Sequence, residues 1–354
     1  MAPGVSPEPL GTAVLVLAAA VLVLLLVVLA ERTVALFARS RSARQEAPLT
    51  TRVCRAVENA SGASALGRLS AWERRVVRGV LLRLALDLRG ESGQVIASMY
   101  QGLGFLETDL IRLRSWRAGV RARAAADLGQ IRAPESVPAL SRMLDDSSER
   151  VRQGVVWALG QTADRTTLVQ LVRLLGDPSR LVARRVEEVL AERGREIPEA
   201  ILAYAESTSI RAGRLAAIEL LGWLRIVDAA DLLSRFMSDL DLEIRVRSVK
   251  AAAAIGDPRF LEAFHQMLQD PGWEVRCQAA KGLSLFGSVA SIPRLETALR
   301  DAKWWVRLYA ATALAETGPL GEQALQRALD DADPKVVEMA RYLLERGDAV
   351  PALP

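Results

Sequence analysis

The chain has 354 residues, with 46 Lys and Arg against 42 Asp and Glu; 51% of its residues are hydrophobic and only 5% aromatic. One histidine, His265, and two cysteines far apart in sequence, Cys54 and Cys277, exclude a disulfide framework and a His/Cys metal cluster, and they argue against histidine-dependent acid–base chemistry. The net charge of +4 is unevenly spread: residues 31–130 carry 17 arginines against nine acidic residues, a pattern suited to a membrane surface more than to a nucleic-acid binder with a basic stripe along its folded domain.

Residues 1–9 read as a short extracytoplasmic tail. Leu10 to Ala30 is free of charge throughout, and at about 1.5 Å per residue it spans ~30 Å, the thickness of a bilayer core. The segment before it has no Lys or Arg, so a cleavable signal peptide fits less well than a transmembrane helix, which with its extension is expected over 10–37. Arg32, Arg39, Arg41 and Arg44 follow on the C-terminal side. By the positive-inside rule that side is cytoplasmic, and these arginines are the candidate membrane-surface residues. Forty-two arginines against four lysines, with abundant alanine, point to GC-rich bacterial coding and hence to a bacterial inner membrane. Cys54, between Arg52 and Arg55, reads as an inert juxtamembrane thiol before an acylation site.

Residues 38–66 are rich in Ser, Ala and Arg and are expected to be a basic linker. Residues 67–112 read as a helical N-terminal cap, with Val76, Val77, Val80, Leu81 and Leu84 among the arginines and further apolar positions at Ile96, Met99, Tyr100, Leu106 and Leu110.

From 113 onward one phrase recurs at a constant period: an apolar residue and Arg, two small or apolar residues, then Leu-Gly. It reads Val120-Arg121, Ala124-Ala125, Leu128-Gly129, and returns as Val151-Arg152, Val155-Val156, Leu159-Gly160. A degenerate copy, Val182-Ala183, Val186-Glu187, Leu190-Ala191, precedes Gly213-Arg214, Ala217-Ile218, Leu221-Gly222. A slightly longer unit is then expected, with Val246-Arg247, Ala251-Ala252 and Ile255-Gly256, followed by Val275-Arg276, Val306-Arg307 and a half copy at Val336-Val337. Each unit predicts a helical hairpin whose first helix ends at the Gly and whose turns carry aspartates such as Asp257, Asp270 and Asp301. A single hairpin cannot bury its own apolar face, but a stack can. The fold class is therefore all-α: an α-solenoid over 113–354, preceded by a single transmembrane helix.

On the Val-Arg pairs, the Ala-Ala pairs, the Leu-Gly phrases and the turn aspartates, this region resembles HEAT repeats, in particular the short bacterial subtype shared with bilin lyase subunits of the phycobilisome system. The resemblance implies an α-solenoid with a concave binding face and a scaffolding role.

The recurrent arginines have two readings, an anion-binding ladder or a structural Asp–Arg ladder. Regular recurrence favours the second, which is expected to include Arg152, Arg247, Asp270, Arg276, Asp301 and Arg307, with Asp270 facing Arg276 and Asp301 facing Arg307. Trp273 and Trp304 stand one repeat apart, with Trp305 beside the second; they are the candidate partner-binding residues, as an aromatic ridge, while Trp116, Trp157 and Trp223 are expected in the core. No catalytic motif, metal site or cofactor site is found, and nucleic acid and small-molecule ligands are disfavoured. The reading is a membrane-anchored, non-catalytic scaffold or adaptor that binds a protein partner, membrane-bound or membrane-proximal, for instance a polysaccharide glycosyltransferase. The alternatives are a lyase-like modifying enzyme and a basic membrane-surface or nucleic-acid binder.

Overall fold

The computed structural model describes residues 46–162 and 164–346. The expected tail, the transmembrane segment, Arg32, Arg39, Arg41 and Arg44, and the start of the linker lie outside the described residues. Among those residues there is no strand, and no helix is long and apolar enough to cross a bilayer. Contacts divide the chain into two compact units after Thr108.

In the first unit, residues 46–58 form a helix, α1, where the composition predicts a linker. Leu49, Val53, Ala56 and Val57 are buried along it; their spacing of four, three and one makes a single helical stripe that the Ser/Arg-rich composition masks. Arg52 of α1 donates to the carbonyl of Leu66 at 3.0 Å. Helix α2 (Ala71–Asp87) opens on a capping box in which Ser70 and Glu73 satisfy each other's backbone N–H groups. Helix α3 (Gly90–Gly102) buries Ile96, Met99 and Tyr100, and the Tyr100 and Phe105 rings lie 5.3 Å apart. Helix α4 (Phe105–Arg112) spans the division between the units.

The second unit is a stack of helical hairpins. The first helices are α5 (Ala118–Ile131), α7 (Glu149–Thr162), α9 (Arg180–Arg193), α11 (Arg211–Trp223), α13 (Leu242–Ile255), α15 (Trp273–Ser284) and α17 (Trp304–Glu316). The second helices are α6 (Val137–Ser141), α8 (Arg165–Val172), α10 (Pro198–Ser207), α12 (Ala230–Phe236), α14 (Leu261–Met267), α16 (Ile292–Ala298) and α18 (Pro319–Ala328), and α19 (Pro334–Arg346) ends the stack. Successive first helices pack on one another and form one continuous layer. Short 3₁₀ turns such as Pro134–Ser136 and Pro258–Phe260 lead into several of the second helices, and these two carry Pro at the first position.

Two expectations about the repeat change. Except at Gly256, the helices do not end at the glycines of the repeated phrase. Elsewhere the left-handed residue falls nearly a turn after the phrase glycine, at Arg132 (φ 56°) and Arg225 (φ 54°), and the same position recurs at Gly256 (φ 72°), Gly287 (φ 53°) and Gly318 (φ 78°). Gly129, Gly160 and Gly222 stand inside their helices and are contact points: a Cβ would lie 2.6 Å from Cα of Ala158, 2.6 Å from Val189 and 2.6 Å from Cα of Ala251, respectively. In each case the neighbour belongs to the next first helix, so glycine sets the close approach of the layer. The fifth unit is also no longer than the others. The residue equivalent to Arg214 and Arg276 is Arg245, one repeat from each, not Arg247.

A Cβ at Gly222 can be accommodated only by moving α13, because the obstructing atom is backbone. Gly222→Ala is therefore expected to cost about 1–3 kcal/mol, measured as a lower midpoint in urea melts with an unchanged far-ultraviolet spectrum.

Candidate functional site

The repeated arginines form a structural ladder whose geometry differs from that expected. Arg121 donates to both carboxylate oxygens of Asp146 at 2.8 and 2.7 Å, and to the carbonyl of Ser115 at 2.9 Å. Arg152 does the same with Asp177, at 2.8 Å for both bonds, and with the carbonyl of Asp146 at 2.8 Å. Arg245 joins Asp270 at 2.8 and 3.0 Å and the carbonyl of Asp239 at 3.0 Å. Arg276 joins Asp301 at 2.6 and 3.0 Å and the carbonyl of Asp270 at 2.8 Å. Each guanidinium thus takes a carbonyl from the turn that enters its own first helix and a carboxylate from the turn that enters the next one. The carboxylates also accept an N–H two residues on, as from Ser148, Gly272 and Lys303.

Asp270 therefore faces Arg276 through its carbonyl and Arg245 through its carboxylate. Arg247 is outside the ladder and pairs with Glu243 at 2.7 Å and Glu219 at 2.6 Å. Arg307 keeps only the carbonyls, Asp301 at 2.9 Å and Ala302 at 3.3 Å, since Ala332 stands where a carboxylate would be. Burial pushes the Asp146 and Asp301 carboxyls up, but hydrogen bonds from Arg121 and Arg276, the N–H groups of Ser148 and Lys303, and the neighbouring arginine charges hold both below the usual carboxylate range. A depressed carboxylate stabilises the fold above its unfolded pKa and ceases to do so as pH falls through the folded value. The ladder is accordingly intact at neutral pH.

Besides the terminal loss at Arg307, it is interrupted in the middle over two successive rungs. Ala183 stands in the arginine position and Thr208 in the aspartate position. Arg214 keeps its carbonyl contacts to Thr208 at 2.6 Å and Ala205 at 3.2 Å, but lies over the Phe236 ring at 5.6 Å. The Asp239 carboxylate instead accepts the Asp241 N–H at 2.8 Å.

Three further departures fall in the same place. Glu187 occupies a position filled elsewhere by Ala125, Val156, Ile218, Val249, Ala280 and Ala311, every one of them 0% exposed. The close-approach pair of this joint is Ala191 and Leu220, a bulky leucine where the α15–α17 joint, also without glycine, has Ser284 and Ala313. Trp223, expected in the core, is 63% exposed. Between α9 and α11 a cleft of about 700 Å³ opens, with Ala183, Arg184, Glu187, Glu188 and Ala191 on one wall. Ala212, Ala216, Glu219, Leu220 and Trp223 form the other. A bulkier contact pair wedges the two helices apart, and the charge on Glu187 opposes closing the gap over it.

Glu188 is held by Arg185 at 2.8 Å and Glu219 by Arg247 at 2.6 Å. Among the described residues the half-buried Glu187 carboxylate has neither an ion pair nor a hydrogen bond. Burial raises its pKa, and the charges of Glu219 and Glu188 add to this against the opposing pull of Arg247 and Arg184.

The other candidates lie elsewhere. Trp273 is half-buried, and Lys303 Nζ sits 5.9 Å from its ring centre. Trp304 is 39% exposed and stands edge-on to Trp305 at 4.8 Å and to Tyr342 at 6.5 Å. The aromatic cluster is thus Trp304, Trp305 and Tyr342, with Lys303 and not a second indole over Trp273. Trp116, also expected in the core, is 83% exposed with Arg117 over its ring at 4.7 Å. The buried His265 engages Glu262 at 3.3 Å and Ser291 at 2.9 Å. Burial pushes the Cys277 thiol up to about 11. Among the described residues no group of His, Cys, Asp and Glu could hold a metal ion.

The family model of HEAT repeats matches residues 108–191 and 261–345. The chain contains HEAT repeats. The interval between the two matches begins in α9 and includes Thr208, Gly213 and Trp223, yet helical hairpins continue through it at the same period. Three solved structures align with the chain. An engineered protein is 20% identical over 85% of this chain and 93% of its own, with a TM-score of 0.41. Human deoxyhypusine hydroxylase in complex with glycerol is 21% identical over 72% and 98%, TM-score 0.30. YibA of Escherichia coli is 19% identical over 79% and 98%, TM-score 0.42. No curated protein matches. The HEAT-repeat solenoid is a scaffold-type architecture.

A carboxyl raised in the folded state favours folding at low pH, and that contribution is lost as pH rises through its folded pKa. Glu187→Val, which restores the residue type of the other repeats, should raise the melting temperature at neutral pH by ~2–4 °C, for about 1 kcal/mol. The difference from the unsubstituted protein should narrow as pH falls into the carboxylate range, as followed by circular dichroism melts.

Proposed function

We propose that this chain is a membrane-anchored, non-catalytic scaffold whose HEAT array binds a protein partner at the cytoplasmic face of a bacterial inner membrane. The observation that carries the reading is the single joint at which the repeated structural side chains give way to an unpaired carboxylate, a cleft and an exposed tryptophan. A device that serves the fold recurs with the fold, whereas a recognition site need not. The anchor rests on the uncharged stretch Leu10–Ala30 and the arginines that follow it. A non-catalytic role is supported by the burial of the chain's one histidine and of the Ser291 hydroxyl it meets, which leaves no room for a substrate beside them, and by the buried Cys277 thiol.

Confinement to the bilayer raises the effective concentration of the solenoid towards membrane-bound partners. The partner class that fits is a membrane enzyme such as a polysaccharide-synthesising glycosyltransferase. A mild-detergent pull-down of the full-length chain beside a copy lacking residues 1–37, read by mass spectrometry, tests this. Recovery of one membrane enzyme with the full-length chain, lost or weakened without the anchor, is expected. Recovery of the same soluble partner by both forms would contradict the tethered arrangement.

A further inference from the structure

The joint between α9 and α11 has the form of a groove waiting for a third helix. The residues of α9 that face it, from Ala183 to Ala191, recur at helical spacing over about 12 Å, and those of α11, from Ala212 to Trp223, over about 16 Å. The floor is small and apolar through Ala183, Ala212 and Ala216, so a helix backbone can come close. Charge is ordered across the opening. Glu187 lies at the middle with Glu219 near enough to raise its pKa, while Arg180 and the exposed Arg184 stand towards the α9 N-terminal end. Trp223 closes the far end and offers a large amphipathic face at low entropic cost.

Glu187 replaces a core residue of every other repeat, it is half-buried, and none of the arginines around it forms an ion pair with it: Arg184 pairs with Glu188 and Arg247 with Glu219 and Glu243. A half-buried carboxylate that forms no ion pair among the described residues offers a favourable seat to a cation brought beside it. Resting on the scaffold reading above, we infer that this cleft is the docking groove for a helical segment of the protein partner. The segment's apolar face carries an arginine or lysine that pairs with Glu187, and its apolar residues pack against Trp223 and the alanine floor. Acidic residues at the end of the segment near Arg180 and Arg184 complete the match.

The test is a display library of helix-favouring peptides of four to five turns, selected on the full-length chain in mild detergent. Recovered peptides are then titrated by fluorescence anisotropy against the unsubstituted chain, Glu187→Gln, Trp223→Ala and, as a control on a distant exposed indole, Trp116→Ala. The expected peptides carry Arg or Lys within an apolar helical stripe. Their Kd weakens at least tenfold on Glu187→Gln and on Trp223→Ala, and is unchanged on Trp116→Ala. Replacing the peptide's arginine by citrulline should cause the same loss on the unsubstituted chain and little further loss on Glu187→Gln. Trp223 is largely exposed and glutamine keeps the shape of Glu187, so each variant gives an independent reading should the other melt early. Peptides that bind all four proteins alike overturn the groove while leaving a scaffold that binds elsewhere. Recovery of no binding peptide likewise overturns the groove, while the scaffold reading stands or falls on the pull-down.

Discussion

The second unit depends on one interaction repeated along it: a guanidinium clamped between a carbonyl of the turn before its helix and a carboxylate of the turn before the next first helix. The first bond fixes the turn that enters a first helix, and the second ties that helix to the corresponding turn of the next hairpin. Because Asp146, Asp270 and Asp301 use their carboxylates towards one arginine and their carbonyls towards the next, the rungs are linked into a chain. The ion pairs are bidentate and mostly shielded from water, so they are stronger than ordinary surface pairs. The apolar layer then does most of the stabilising, through Leu128, Leu159, Leu190, Leu221, Leu283 and Leu314, which are buried at matching positions.

Two such runs flank the joint between α9 and α11, where Ala183 and Thr208 remove both halves of a rung. At the same joint Ala191 meets the bulky Leu220, where the α5–α7, α7–α9 and α11–α13 joints have a glycine, and Glu187 stands where the other repeats bury an apolar side chain. Each change alone would weaken the packing. Together they open a cleft that is coherent in shape and charge, which is the pattern expected where stability is exchanged for recognition.

Much of this is legible in the sequence, because a structural device in a repeat must recur. Arginine at a constant interval and aspartate in the turns point to the hairpins and the ladder. The register slips at Ile244-Arg245-Val246-Arg247, where two apolar-Arg pairs overlap and only the reach to Asp270 separates them. Leu-Gly suggests a helix end because glycine so often closes helices, but a glycine inside a helix is equally required when the next backbone lies 2.6 Å from its missing Cβ. The helix over 46–58 is hidden because its apolar stripe is short and sits among Ser and Arg. The cleft leaves signals, a glutamate at a core position and a missing arginine, that look like decay of the repeat until Trp223 and the unpaired carboxylate are placed beside them. Trp223 itself has no tryptophan at the equivalent positions 192 and 254, so periodicity says nothing about its exposure.

The most direct test of this account is to rebuild the missing rung with Ala183→Arg and Thr208→Asp together, and to follow thermal unfolding of the full-length chain. The account predicts a higher melting temperature for the double variant than for either single one, with the excess lost as pH falls below the carboxylate range. A double variant that melts no higher than the unsubstituted protein, or whose two changes simply add, would contradict the ladder as the element that sets the repeat.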